Sequence, residues 1–331
     1  MTVQELGEGR LLIDLDFNSS PGIIGSYLIP EEEGWAVVET GPTSCKAAFL
    51  RGLAEAGIAP VEIKDVFVTH IHLDHAGGAG ALVDSLPKAT FHMHELGVPH
   101  LVDPSKLIAS AQRAWGDAGM ALWGPIVPIP ADRVHALKGG ERFPLERGGH
   151  LSVLATPGHA NHHLSFYDSG LAGVLTGDGA GVLLPGSSHI RPAMPPPELD
   201  VEKLIGSLER MRAWAPQKIL FSHFGPADGG MERLLEAEEN VQWWVGVARE
   251  AMHREPTVES LTKALEAADE ERSRRDGEQA LIARRSGMIS GYQMAAMGLH
   301  RYFTRKPPPS PGEAHSGPRH PGAEHGATPP R

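Results

Sequence analysis

Thiols are almost absent from this sequence: its 331 residues include one cysteine, Cys45. A single thiol closes no intramolecular disulfide, and it builds neither a four-cysteine zinc module nor a cysteine-ligated iron–sulfur cluster. Basic charge is also scarce, with 30 Lys and Arg against 41 Asp and Glu and a formal net charge of −11. That balance argues against a general nucleic-acid binder, whose affinity comes from neutralising phosphates. No uninterrupted apolar run approaches the ~20 residues that a bilayer-spanning helix requires. The stretch Met1–Arg10 carries acids and no apolar segment of the kind a secretory signal needs. The expectation is therefore a soluble, cytoplasmic protein with neither nucleic acid nor membrane as partner. A hydrophobic content of 41% is enough for a large core. What the chain holds in quantity is histidine, 18 residues, beside 39 Gly and 28 Pro.

Short apolar runs alternate with helical patterns through about residue 230. Leu11–Phe17, Gly22–Ile29 and Trp35–Thr40 read as strands broken by turn residues, and Thr43–Ala56 reads as a helix stopped by Gly57. Asp65–Thr69, Thr90–His94, Arg133–Leu137, Leu151–Thr156, His163–Tyr167, Leu171–Thr176 and Lys218–Phe221 are further strands. This order predicts an α/β layered domain over residues 1–230. Within it, 96–130 is long, Pro-rich and carries Trp115 and Trp123. It reads either as a lid or binding wall or as a helical excursion covering the core. Beyond Gly230 the pattern turns helical at Met231–His253, Val258–Ala268 and Ile282–Phe303, a helical C-terminal subdomain over 231–305. The tail 306–331 is rich in Pro, Gly, Ala and His and lacks aromatics, so it is expected to stay disordered. Its His315, His320 and His325 recur every five residues.

Chemistry concentrates at predicted strand ends. Thr69-His70-Ile71-His72-Leu73-Asp74-His75 follows a buried strand and leads into Ala76-Gly77-Gly78. Three imidazoles and a carboxylate so close together, at the mouth of a strand, are dense metal-ligand chemistry. In an extended turn His70 and His72 face one way, while Asp74 and His75 can face a second point. Imidazole and carboxylate together suit zinc, iron, nickel, copper or manganese. Three weaker signals share the same placement: Thr156-Pro157-Gly158-His159, Thr176-Gly177-Asp178-Gly179 and Phe221-Ser222-His223-Phe224. Strand ends are where sheet folds gather their sites. Cys45 lies near a helix start, where a thiolate would be favoured. The preferred reading is a small packing residue.

In this order and spacing, HxHxDH, TPGH, GD and SHFG resemble the metallo-β-lactamase superfamily of dinuclear metallohydrolases, over about residues 10–230. The resemblance implies a four-layered αββα sandwich of two mixed β-sheets. It also implies two divalent ions, zinc first with iron or manganese as alternatives. His70, His72 and His159 would hold one ion and Asp74, His75 and His223 the other, with Asp178 bridging both. A metal-bridging hydroxide would then attack the substrate, with Asp74 additionally orienting the nucleophile and taking a proton. Many relatives carry Asp–x–Gly after the third strand, whereas this chain has Glu39-Thr40-Gly41; Glu39 could orient a ligand or simply end a strand.

Within the superfamily the chain is similar to the glyoxalase-II-like branch, which hydrolyses thioesters such as hydroxyacylglutathione. A small thioester is therefore the first expectation and a lactone the second. Further readings are a mononuclear-iron oxygenase resembling the persulfide dioxygenases, using His70, His159 and Asp178, and a non-catalytic metal-binding sensor. His162 and His163 could orient ligands or line the pocket. Trp115, Trp123, His189 and Arg191 would wall it, with Arg191 pairing to a substrate carboxylate. His300-Arg301-Tyr302 and Arg305-Lys306 are a loose analogue of the basic grip on glutathione. Homo-oligomerisation stays open.

Overall fold

Along the early strands, successive side chains leave for different cores, and that alternation builds the layers. The computed structural model describes residues 2–305. Lys306 and the tail with His315, His320 and His325 lie outside the described residues. The chain runs β1 (Val3–Gly7), β2 (Arg10–Asp14), β3 (Gly25–Glu31), β4 (Gly34–Val38), α1 (Lys46–Glu55), β5 (Ile63–Phe67), α2 (Leu73–Ala76) and α3 (Ala79–Leu82). It continues through β6 (Thr90–His94), α4 (Val98–Val102), α5 (Ser105–Trp123), β7 (Val134–Leu137), β8 (Arg142–Pro144), β9 (His150–Ala155), β10 (Leu164–Asp168) and β11 (Gly173–Gly177). After α6 (Val201–Arg212), β12 (Lys218–Phe221) and β13 (Gly225–Asp228) come α7 (Gly230–Arg254), α8 (Val258–Arg275), α9 (Ala280–Ser290) and α10 (Tyr292–Arg305).

Strands β1 to β7 form one seven-stranded sheet in sequential order. It is antiparallel from β1 to β4 and parallel from β4 to β7. The second sheet orders six strands as β13-β12-β11-β10-β9-β8, with one parallel pair, β11 and β12. Both sheets are mixed. Leu12, Tyr27, Ile29, Val38 and Phe67 face Val153, Phe166, Leu175 and Leu220 of the second sheet across a shared core. Ile13, Leu28, Val37 and Val66 point the other way, onto Phe49 and Leu53 of α1 and Leu82 of α3. On the outer face of the second sheet, Val174 and Ile219 meet Leu208 and Met211 of α6 and Leu234 of α7. The result is helix, sheet, sheet, helix, the expected αββα order.

The C-terminal helices share a core with what precedes them. Trp244, Leu261, Leu265, Leu299 and Phe303 pack with Met194, Leu199, Val201 and Leu204. The single helix expected over Ile282–Phe303 is two, because Gly291 takes φ 66° between α9 and α10. The segment 96–130 is a helical excursion rather than an open loop. Leu101, Leu107, Trp123 and Ile129 seat it on the outer core, with Trp123 stacked on Phe17 at 5.1 Å. Three strands and one helix escape the sequence reading. β1, β8 and β13 are short edge strands, two of them containing Pro, which weakens any pattern. α6 is a plain omission, since Val201, Leu204, Leu208 and Met211 recur at helical spacing behind the capping Asp200.

Burial, together with the nearby Asp65 carboxylate, pushes Glu31 at the end of β3 up to about 8, against a smaller opposing pull from Lys64. A carboxyl raised on folding adds stability at pH below its unfolded value of 4.5, and that stability is lost as pH rises through about 8. Glu31→Gln, which mimics the protonated form, should therefore raise the urea midpoint more at pH 9 than at pH 4. An equal effect at both would contradict the assignment.

Candidate metal centre

Five strands of the sandwich end at one edge and deliver the site. Glu39 follows β4, Thr69 to His75 follow β5, His159 follows β9, Asp178 follows β11 and His223 follows β12. Backbone bonds lock the ends together: Leu164 N–H donates to Thr69 O at 2.7 Å and Gly25 N–H to Ser222 O at 2.9 Å. Two glycines permit the approach. A Cβ on Gly158, whose φ is +142°, would lie 2.3 Å from the backbone of Leu204 in α6. One on Gly177 would lie 2.5 Å from Thr69 Oγ1 and 2.7 Å from His163 Nε2. The turns that carry His159 and Asp178 are thus sterically reserved for glycine.

Two groups of donor atoms result, His70 with His72, His159 and Asp178, and Asp74 with His75 and His223. In the first, His72 Nδ1 lies 2.9 Å from His70 Nε2 and 3.0 Å from His159 Nε2. In the second, His223 Nε2 is 3.3 Å from both His75 Nε2 and Asp74 Oδ2. Asp178 stands between them. Its Oδ2 is 3.5 Å from His159 Nε2 and 4.0 Å from His70 Nε2, while its Oδ1 is 3.3 Å from His75 Nε2 and 3.6 Å from His223 Nε2.

The outward nitrogens explain why the inward ones are available. His70 Nδ1 meets Thr69 Oγ1 at 2.9 Å, His159 Nδ1 meets Ala193 O at 2.9 Å, and His223 Nδ1 meets Ile23 O at 2.8 Å. His75 Nδ1 donates to Glu39 Oε1 at 3.1 Å. Each Nδ1 is engaged by an oxygen, which turns each Nε2 inward. His72 is the exception and presents Nδ1. The Glu39 carboxylate, fully buried, also accepts from Thr69 Oγ1 at 2.5 Å and Ser222 Oγ at 3.1 Å. It thereby touches the supports of both groups.

Electrostatics favour a cation here. Burial and neighbouring imidazoles push His70 well below its usual range, and burial with His159 takes His72 down to about 3. These rings are neutral donors. For Asp74 and Asp178, burial alone would raise the carboxyls, but His75 with its neighbours outweighs it and both are held down. Conversely, burial opposes charge on His75 and His223, yet the facing carboxylates drive both up. A largely buried cluster with anionic oxygens and convergent imidazole nitrogens, in which buried Asp178 Oδ1 has no hydrogen-bond partner, fits divalent metal ions. The donor set contains no thiolate.

Around the cluster the expectations divide. His162 lines an open cavity of about 480 Å³, with its ring 6.1 Å from that of His72. His163 is sealed behind His70 and bonds Thr156 Oγ1 at 2.8 Å. Four expected pocket residues are elsewhere. Arg191 is fully buried and pairs with Asp269 at 2.7 Å and Glu278 at 2.9 Å, so it is not free for a substrate carboxylate. His189 is buried against the same Asp269 at 2.9 Å. Both tie the loop after β11 to α8 because their acids arrive from that helix and its C-terminal turn. Trp123 is spent on Phe17 and Trp115 packs edge-on to Trp123 while 44% exposed; neither lines the cavity. Cys45 is buried and pushed up to about 12 by that burial, which makes it a packing residue. Arg301 bonds Pro197 O and Tyr302 bonds Glu202. The sequence reading passed over His94, His100, Asn161, Glu198 and Lys203, which line the cavity with His162. Only the cap and spacing of α6 could have drawn attention to Lys203.

Residues 20–223 match the model of the metallo-beta-lactamase superfamily. No match is found among curated proteins. Among solved structures, an archaeal metallo-beta-lactamase superfamily protein from Sulfolobus tokodaii is 25% identical, covering 68% of this chain and 81% of its own, with a TM-score of 0.56. A metallo-beta-lactamase family protein from Thermus thermophilus is 22% identical over 86% and 89%, at 0.61. A beta-lactamase domain protein from Burkholderia ambifaria is 20% identical over 90% and 88%, at 0.63. Among the described residues no helix is long and apolar enough to cross a membrane. With more than half its length matched and the two donor groups assembled at the sandwich edge, the chain belongs to the metallo-beta-lactamase superfamily.

Proposed function

We propose that this chain is a dinuclear metallohydrolase acting on a small ester-like substrate, a thioester first, in the manner of the glyoxalase-II-like branch. The observation that carries the reading is the division of Asp178, one oxygen toward each donor group. In this reading His70, His72 and His159 hold one ion, Asp74, His75 and His223 the other, and Asp178 both. Divalent ions held there would supply an acidified water and polarise the scissile carbonyl. The chain's own contributions are orientation and exclusion of solvent. Glu39, Thr69, Ala193 O and Ile23 O fix the ring orientations, and His163 closes the back of the cluster. Asp74, its side chain 25% exposed against 9% for Asp178, is the more open carboxylate, and in this reading it would orient an attacking water and accept its proton.

The test is a panel of thioesters, lactones and phosphodiesters on protein purified without added metal, with metal content measured alongside. Two metals per chain with thioester turnover is the expected result. Turnover confined to lactones would replace the substrate class. One iron per chain with oxygen uptake would replace the hydrolase by an oxygenase. Full metal loading with no turnover would leave a sensor.

A further inference from the structure

The cavity beside the first donor group presents hydrogen-bond donors that the protein engages weakly or leaves open. Lys203 Nζ, on the first turn of α6, has Asn161 Oδ1 at 3.5 Å and Asp200 Oδ2 at 3.9 Å, both at the limit of contact, and its side chain is half exposed. With its oxygen turned to Lys203, Asn161 leaves its amide N–H groups without a partner among the described residues. His94 Nδ1 accepts from Leu96 N–H at 3.1 Å, so the neutral ring carries its proton on Nε2. Burial favours that neutral form. The His100 ring makes no hydrogen bond among the described residues. Among the lining residues these face one acid, Glu198, and it is already engaged: its Oε2 accepts from Asn161 N–H at 2.8 Å and faces His162 Nε2 at 3.7 Å.

One full cation with neutral N–H donors around it, and the sole lining acid committed to the wall, matches an acceptor-rich group carrying a single negative charge. A second charge would meet Glu198. The cavity also adjoins the reacting end, because Pro157 and His162 in its wall flank His159 in the chain.

We propose that this cavity is the tail pocket of the substrate and binds a carboxylate, held by Lys203 with Asn161 and His94. The assignment rests on the hydrolase reading of the adjoining centre and narrows its substrate class to esters or thioesters bearing a terminal carboxylate. It places specificity on α6 and leaves Arg191, buried elsewhere, without that role.

The test compares matched thioesters that end in a carboxylate or in a carboxamide, using the metal-loaded enzyme. The carboxylate substrate is expected to have a kcat/KM about tenfold higher, the usual worth of a charge-assisted hydrogen bond. Lys203→Met should collapse that preference mainly through KM, and Lys203→Arg should keep most of it. Lys88→Met, on an exposed lysine outside the cavity, should leave it unchanged. Equal rates for the two parent substrates, or a preference indifferent to Lys203→Met, overturn the proposal. If neither substrate turns over, succinate binding to the metal-loaded protein is measured by calorimetry. Binding that Lys203→Met weakens upholds the pocket while the hydrolase reading fails. Absent or Lys203-independent binding overturns the pocket too. Inorganic phosphate bound more tightly than succinate, through Lys203, would overturn the carboxylate in favour of a phosphoryl group.

Discussion

Asp178→Ala should strip bound metal from the protein and cut turnover by roughly 10³-fold. The expectation follows from position. Among the described residues Asp178 is the one side chain whose two oxygens face different donor groups, and it is 7% exposed, which leaves little room for solvent to replace it. Removing it also takes away the leading carboxylate that holds His75 up and one that, after Asp74, holds His223 up. Asp178→Asn separates charge from shape: it keeps the volume, and it should lose nearly as much metal as the alanine variant. Glu39→Gln is the useful contrast. Glu39 touches His75 and Thr69 rather than the centre itself. Its loss should weaken metal affinity by about 10–100-fold without abolishing the site. Metal content by atomic spectroscopy, read beside kcat, checks the series. Full occupancy and turnover in Asp178→Ala would mean that the ligand assignment is wrong.

Arg191→Met should cost about 3–5 kcal/mol of stability, because it leaves the carboxylates of Asp269 and Glu278 buried without their cation. Arg191 Nε donates to Asp269 and its Nη2 donates to Glu278 and to Ser273 Oγ. Asp269 further accepts from Tyr292 and meets His189, so one acid gathers the loop after β11, α8 and α10. The consequence reaches the metal centre. The same loop supplies Ala193 O to His159, and Leu183 N–H to the backbone of His223. A urea titration should show a lower midpoint at unchanged slope, which is the mark of lost stability rather than a changed unfolded state. A variant with wild-type stability and only a raised KM would return Arg191 to the substrate.

Much of the centre was legible because it is local. His70, His72, Asp74 and His75 sit in one turn after β5, and backbone geometry over so few residues leaves little freedom in where they point. His159, Asp178 and His223 carried weaker signals, each a titratable residue just past an apolar strand. They became a set through motif order, and tertiary structure alone brings their atoms within reach of one another. Glu39 was half legible: its place after β4 was visible, but its hydrogen bonds come from the ends of β5 and β12 and from α2.

Elsewhere residue type misled. Arg191 and His189 look like pocket residues in a Pro-rich loop, yet their partner Asp269 lies roughly eighty positions away on another helix. Trp115 and Trp123 look like an apolar wall, yet the excursion spends Trp123 on seating itself against Phe17. Lys203 looks like one more surface lysine on an amphipathic helix, until α6 sets it in one cavity wall with His94 and Asn161. By itself the sequence determined the alternation of strands and helices and the chemistry at the strand ends, since both depend on short-range periodicity and turns, while the αββα order was only what the family resemblance implied. Tertiary structure alone decided which charges are buried against each other and which face open space. Burial and pairing depend on elements far apart in the chain, and no local pattern encodes which of them will meet.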